Sequence, residues 1–246
     1  VELDDFTQVI EVSREMERLA TLAQNPRYVV LALIGQIGAF LRFGELYRTE
    51  PLLTRARNAG ELGPALEAAL NGLGAMCALH QDRLPCARQL ADEAMAAVRR
   101  VRWPLLQLRY ALIGILDVYL DEGLAVVPAQ AKQALTMLRW IAREFAVVKS
   151  TDALYRGRHQ LRYRRWASAR TWLQESLNAA QKYGVRYDQA QAHYWLGRLT
   201  LREFDGNPRR KDAAENLRAS LALFDRLGAV WEADRTRRAL HSLDGA

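Results

Sequence analysis

The sequence predicts an all-α fold, and three observations carry that expectation. Leu, Ala, Arg and Glu dominate the 246 residues, while Gly and Pro number only 15 and 7, a composition that favours helix. No stretch alternates apolar and polar residues long enough to make a half-buried strand. A pattern of small and apolar residues at helical spacing also recurs along the chain.

The pattern is clearest in "GELYRTEPLLTRA" (44–56), "DRLPCARQLADEA" (82–94), "RRWASARTWLQES" (164–176) and "RRKDAAENLRAS" (209–220). The first three carry a large apolar residue at Leu46, Leu84 and Trp166. Three positions on, all four carry a small residue: Thr49, Ala87, Ala169 and Ala213. Then follow Leu53, Ala91, Leu173 and Leu217, and a second small residue at Ala56, Ala94, Ser176 and Ser220. Steps of three and four keep these positions on one helical stripe. The first small residues lie 38, 82 and 44 apart, and the middle interval is long enough for two units. A degenerate unit is therefore expected around 123–138, "GLAVVPAQAKQALTML".

The elements follow in order. A front helix is expected over 4–24. Each stripe helix is preceded by another helix, as in "RYVVLALIGQIGAFL" (27–41), "LQLRYALIGILDVYL" (106–120) and "QAHYWLGRLTLREF" (191–204). Pro26, Pro64, Pro85, Pro104 and Pro208 mark helix starts. Gly60, Gly184 and Gly228 mark helix ends. Pro51 and Pro128 do not fit the spacing and read as kinks or shortened helices. Gly157 and Gly197 fall where the first helix of a pair touches the second. A capping helix is expected over 229–242. A helix pair of this kind cannot bury its apolar face alone, so the pairs are expected to stack as a right-handed α-solenoid of about five pairs in a single domain, 1–246.

The repeat, with Leu196-Gly197 ahead of its last copy, resembles the tetratricopeptide repeat, at a pitch near forty residues. "LNAAQKYGVRYDQAQAHYWLG" followed by "LRASLALFDRLGAVWEADRTRRAL" is similar to the C-terminal sensor region of bacterial signal-transduction ATPases. These include maltose-activator-like LuxR-type regulators and ATPases linked to cyclases or kinases. The resemblance implies a non-catalytic sensor or scaffold segment, with the ATPase or output domain on another part of a parent protein. A start at Val1 agrees with a fragment of a larger protein.

The chain's own residues offer no catalytic signature. There is no Gly-rich phosphate loop ending in Lys and Ser/Thr. His80, His159, His193 and His241 are scattered without metal-ligand spacing. Glu203 and Asp205 read as a solvated turn. No enzyme activity, cofactor or metal is expected. Cys77 and Cys86 match neither a metal motif nor a disulfide framework, which points to the reducing cytoplasm. The run from Val29 to Leu41 is too short to span a bilayer, so no membrane is expected.

Charge is distributed unevenly. Residues 1–150 hold 17 Lys/Arg against 17 Asp/Glu; residues 151–246 hold 18 against 11, the whole excess of +7. "RGRHQLRYRRWASAR" (156–170) alone carries six arginines. Arg156, Arg158 and Arg162 fall on a first helix, Arg164 near a turn, and Arg165 and Arg170 on a second. In a tetratricopeptide array the first helix of each pair lines the concave surface. The inward positions are then Arg158 and Arg162 after Gly157, and Arg198 and Arg202 after Gly197, with Tyr194 beside them. Arg suits bidentate capture of carboxylate or phosphate. The earlier inward positions are Arg42, Met76, His80 and Tyr119, a mostly neutral groove wall.

This pattern favours a groove for an acidic protein or peptide segment, or for a small anionic effector, with contacts to an attached ATPase or output domain. The competing reading pairs the arginines with neighbouring carboxylates such as Asp152, Glu175 and Asp188. A self-assembly scaffold is a further alternative. Nucleic acid ranks last because a phosphate-tracking surface spreads its charge along a strip. "NPRRKD" (207–212) reads as an inserted basic loop. Trp103, Trp140, Trp172, Trp195 and Trp231 read as inter-helix core, and Arg235, Arg237 and Arg238 as the wet outer face of the capping helix.

Overall fold

The computed structural model describes residues 6–60, 62–125, 127–203 and 210–244. The fold is all-α: twelve α-helices and one short 3-10 turn lie among those residues, with no strand. They fall into two compact units, divided between Glu144 and Phe145.

The first unit holds α1 (Phe6–Leu22), α2 (Pro26–Phe43), α3 (Leu46–Arg57), α4 (Pro64–His80), α5 (Leu84–Val98), α6 (Leu108–Tyr119) and α7 (Pro128–Glu144). Within it α1 packs on α2, α2 on α3, α4 on α5 and α6 on α7, while α4 also lies along α2 and α6. The second unit holds the 3-10 turn Ala146–Val148, α8 (Lys149–Arg162), α9 (Trp166–Tyr183), α10 (Arg186–Glu203), α11 (Arg210–Leu227) and α12 (Val230–Asp244). Here α8 packs on α9, α9 on α10, α10 on α11 and α11 on α12.

The stripe of small and apolar residues is buried from its first small residue onward, while Leu46, Leu84 and Trp166 at its head are half-buried. Thr49, Leu53 and Ala56 face inward on α3, and Ala87, Ala91 and Ala94 on α5. Ala169, Leu173 and Ser176 do so on α9, and Ala213, Leu217 and Ser220 on α11. The degenerate unit is α7, where Ala131, Leu135 and Leu138 hold the same positions, all buried. Small stripe residues let the partner helix approach closely. A Cβ on Gly157 would lie 2.7 Å from the Leu173 side chain, and one on Gly197 would lie 2.8 Å from Leu217. The closest approach joins α4 to α6. A Cβ on Gly114 would sit 2.0 Å from the Gly72 carbonyl oxygen.

Six joints share one turn. Gln24, Gly44, Asp82, Arg164, Gly184 and Gly228 all have φ between 50° and 74°. In each, the next residue's N–H reaches back to a carbonyl five positions earlier: Asn25 to Ala20, Glu45 to Phe40, Arg83 to Ala78, Arg165 to Gln160, Val185 to Ala180 and Ala229 to Phe224, at 2.9–3.0 Å. This is the Schellman arrangement, which satisfies carbonyls left over at a helix end. The following helix starts one residue later, so the joint is short and stereotyped.

Some helix boundaries differ from the sequence expectation. Pro128 opens α7 and Pro51 lies inside α3. Pro104 sits four residues ahead of α6, and Gly60 lies beyond the end of α3, which closes on Asn58. Arg165 is the N-cap of α9 rather than a helical residue. Arg210, Lys211 and Asp212 open α11 instead of forming a loop; Asp205, Pro208 and the start of that basic stretch lie outside the described residues. α2 is the one described helix long and apolar enough to cross a membrane by length and composition. Residues facing α1, α3 and α4 make 56% of it buried.

Candidate functional site

Within the second unit, α8, α10 and α12 place three guanidiniums around an aromatic pair. Tyr194 and Trp195, neighbours on α10, meet edge to face with ring centroids 5.2 Å apart. Tyr194 is 1% exposed and Trp195 9%, so they form a floor rather than a rim. Arg158 of α8 lies 4.8 Å from the Trp195 ring and 4.7 Å from that of Tyr155. Arg198, one turn along α10, donates to the Tyr194 hydroxyl at 3.0 Å. Residues four apart share a helix face, which is why this pair meets.

Arg235 of α12 completes the cluster. Its guanidinium carbon is 4.1 Å from the Tyr194 ring, 4.9 Å from Trp231 and 5.6 Å from Trp195. It donates to the Gln191 side-chain oxygen at 3.2 Å. Gln191 in turn donates to the Tyr187 hydroxyl, which donates to Glu232. That chain fixes α12 against α10 and orients Arg235. The sequence reading assigned Arg235 to a wet outer face; only Arg237 and Arg238 are exposed there, and Arg235 is half-buried. Spacing counted from the repeat glycines could not find it, because α12 carries no such glycine. The signal present was Trp231, four residues before Arg235 on the same face.

Arg162 and Arg202 lie one turn beyond Arg158 and Arg198 and are half-buried. Stacked guanidiniums attract the negative face of a ring by about 0.5–1 kcal/mol at exposed sites. The arrangement therefore holds donors in fixed positions.

Two other arginines of 156–170, Arg156 and Arg170, pair with carboxylates. Arg156 donates its Nε–H to both Asp152 oxygens at 3.0 and 3.1 Å and lies over Trp172. Arg170 pairs with Glu203 of α10. Asp188, expected as a surface partner, is buried and accepts from Ser150 and Thr151 at 2.7 and 2.6 Å. Glu175 is exposed. His159 packs on Tyr163. Burial, with Arg165 and Arg156 nearby, lowers its pKa below the usual histidine value.

The groove-wall positions named for the first unit are dispersed in role. Met76 and Tyr119 are each 2% exposed and belong to the interior. Tyr119 donates to Asp92 at 2.6 Å beneath the Arg88 guanidinium, and burial with that bond raises its pKa. Arg42 and His80 are half-buried. Cys77 is buried, which pushes its thiol up to about 11, while Cys86 is exposed. Trp103 is not core: it is 73% exposed and lines a cavity of about 390 Å³ with Arg27, Arg100 and Arg102. Val12, Leu19 and Tyr28 are exposed beside a second, apolar cavity between α1 and α2. Among the described residues no group of three or more His, Cys, Asp or Glu is placed to hold a metal ion.

No protein-family model matches the chain, and no curated protein matches it.

Proposed function

We propose that the chain is a non-catalytic binding module whose second unit captures anionic ligands on the face built from α8, α10 and α12. The observation that carries this reading is Arg158, Arg198 and Arg235, from three helices, held over Tyr194 and Trp195. Arg198 donates to the Tyr194 hydroxyl and Arg235 to the Gln191 side chain, both uncharged acceptors, so those bonds leave each guanidinium its charge for a ligand. The favoured ligand is an acidic protein or peptide segment or a small anionic effector.

The helix pairs are read as successive units of a tetratricopeptide-like right-handed α-solenoid of about five pairs with α12 as its cap. The recurring stripe, the common Schellman joints and the α2–α3, α4–α5, α6–α7, α8–α9 and α10–α11 packings support that architecture. With the resemblance in the α9–α12 region, this favours a sensor or scaffold segment of a bacterial cytoplasmic signalling ATPase. A ligand would act by binding one arrangement of the array better than another, which requires differential affinity.

A scaffold role is the second reading. The apolar residues Val12, Leu19 and Leu22, exposed on α1, favour it, because contiguous exposed apolar surface marks protein contacts.

A thermal-shift series at physiological salt tests the primary reading. Acidic peptides and carboxylated or phosphorylated metabolites are added to the wild type and to Arg158→Glu/Arg198→Glu, with a DNA duplex as comparison. Stabilisation of the wild type alone supports it. Binding only of the duplex, with a steep salt slope, overturns it in favour of nucleic acid.

A further inference from the structure

We infer that the cavity beside Trp103, in the first unit, is a ligand site for a small anion carried on an aromatic body. It is independent of the α8–α10–α12 face. The cavity holds about 390 Å³, within the range of about 300–1,000 Å³ usual for small-ligand pockets. Three stretches of chain build it. Arg27 comes from the first turn of α2, residues 63–66 from the start of α4, and residues 100–103 with Leu105 and Gln107 from the connection between α5 and α6. Arg27, Arg102 and Trp103 are exposed, so the cavity opens to solvent and a ligand can enter without unpacking a helix.

The lining combines two chemistries. Pro64, Leu66, Val101, Trp103 and Leu105 supply apolar surface, and the only charged residues in the lining are Arg27, Arg100 and Arg102, with no Asp or Glu. Arg100 is held by Glu67. No carboxylate among the described residues is paired with Arg27 or Arg102, so two guanidiniums keep their charge for an acid group, whose oxygens they suit geometrically. Trp103 is 73% exposed, and among the described residues no ring or guanidinium stacks on it. A ring laid on its indole would take apolar surface out of water and gain the geometry that aromatic pairs prefer. An apolar hollow alone would take a neutral molecule, and two surface arginines alone a bare anion. Together they select a molecule with both parts, the acid toward the guanidiniums and the ring against Trp103.

The acid can be a carboxylate or the phosphate of a nucleotide, and the test separates them. Nitrogen-15 tryptophan-labelled protein is titrated with 2-naphthoate, with neutral 2-naphthamide, with adenosine monophosphate and with acetate, at equal ionic strength. The Trp103 indole signal is identified by its loss in Trp103→Phe. This signal is expected to move saturably with naphthoate or adenosine monophosphate, the tighter of the two naming the acid, and to stay fixed with acetate. Naphthamide should bind about tenfold more weakly than naphthoate, the scale of a lost charge-assisted contact. Arg27→Gln/Arg102→Gln should remove that difference, and Trp103→Ala should weaken naphthoate and naphthamide alike. All three side chains are exposed, so each variant is expected to keep the wild-type melting transition. Arg158→Glu/Arg198→Glu should leave naphthoate binding unchanged, which keeps this site distinct from the proposed face of the second unit. Equal affinity for naphthoate and naphthamide, a Trp103 signal that stays fixed while naphthoate binds, or no binding of either aromatic anion overturns the proposal.

Discussion

Arg164 occupies a left-handed position with φ 55°, where Gly44 and Gly184 serve the same Schellman turn at 74° and 68°. A side chain in that region costs on the order of 1 kcal/mol, so Arg164→Gly is expected to raise stability by about that amount. Gly184→Ala should lower it by a similar amount, both read from denaturant midpoints. Arg164 is exposed, and the gain therefore comes from the backbone alone. A second residue-scale outcome concerns the thiols. Cys77 is buried and its pKa lies near 11, whereas Cys86 is exposed. At pH 8 the Cys77 thiolate fraction is roughly one in a thousand, and the thiolate is the reactive form. Alkylation of the native protein should modify one thiol quickly, and Cys86→Ser should abolish that fast phase. The arginine pairs show what was legible at this scale. Arg158 and Arg198 could be found because each follows a repeat glycine, whereas Arg235 follows none and emerges only where α12 packs back on α10. Trp103 was misplaced for a related reason. An isolated tryptophan reads as core, and nothing in the repeat pattern marks the connection at 99–107 as exposed.

At the level of elements, the stripe of small residues was readable because close helix approach leaves a compositional trace. Its consequences can be measured. A Cβ at Gly114 would fall 2.0 Å from a backbone oxygen of Gly72 and could be relieved only by moving α6 from α4. Gly114→Ala should therefore cost about 3 kcal/mol or more, at the upper end for overpacking. Gly63, where an added Cβ meets nothing within 4 Å, is the control and should tolerate alanine. Pro51 gives the opposite sign. It sits inside α3, exposed, where it removes the backbone bond to Tyr47. Pro51→Ala should stabilise the protein by about 1–2 kcal/mol, less than the full helix penalty of proline because proline also restricts the unfolded chain. Helix boundaries were less legible than helix existence. The positive-φ residues Gln24, Asp82 and Arg164 are not glycine, so three of the six stereotyped joints carry no glycine signal in the sequence.

On the scale of the whole molecule, the uneven charge gains a structural counterpart. The excess of +7 lies in residues 151–246, nearly coincident with the second compact unit from Phe145. That coincidence is why the anionic ligand of the proposed function is sought on this unit. Within it, Arg156 and Arg170 are matched by Asp152 and Glu203, while Arg158, Arg198 and Arg235 are gathered on aromatic rings. Sequence spacing could not make that division, because it does not say which carboxylate a side chain reaches. The most direct measurement of the central claim is a calorimetric titration of phosphorylated and unphosphorylated acidic peptides into the wild type and into Arg158→Glu/Arg198→Glu. Saturable binding to the wild type, lost in a double variant that retains its melting transition, is the predicted result. Equal binding by both proteins, or heat from neither, would contradict the account.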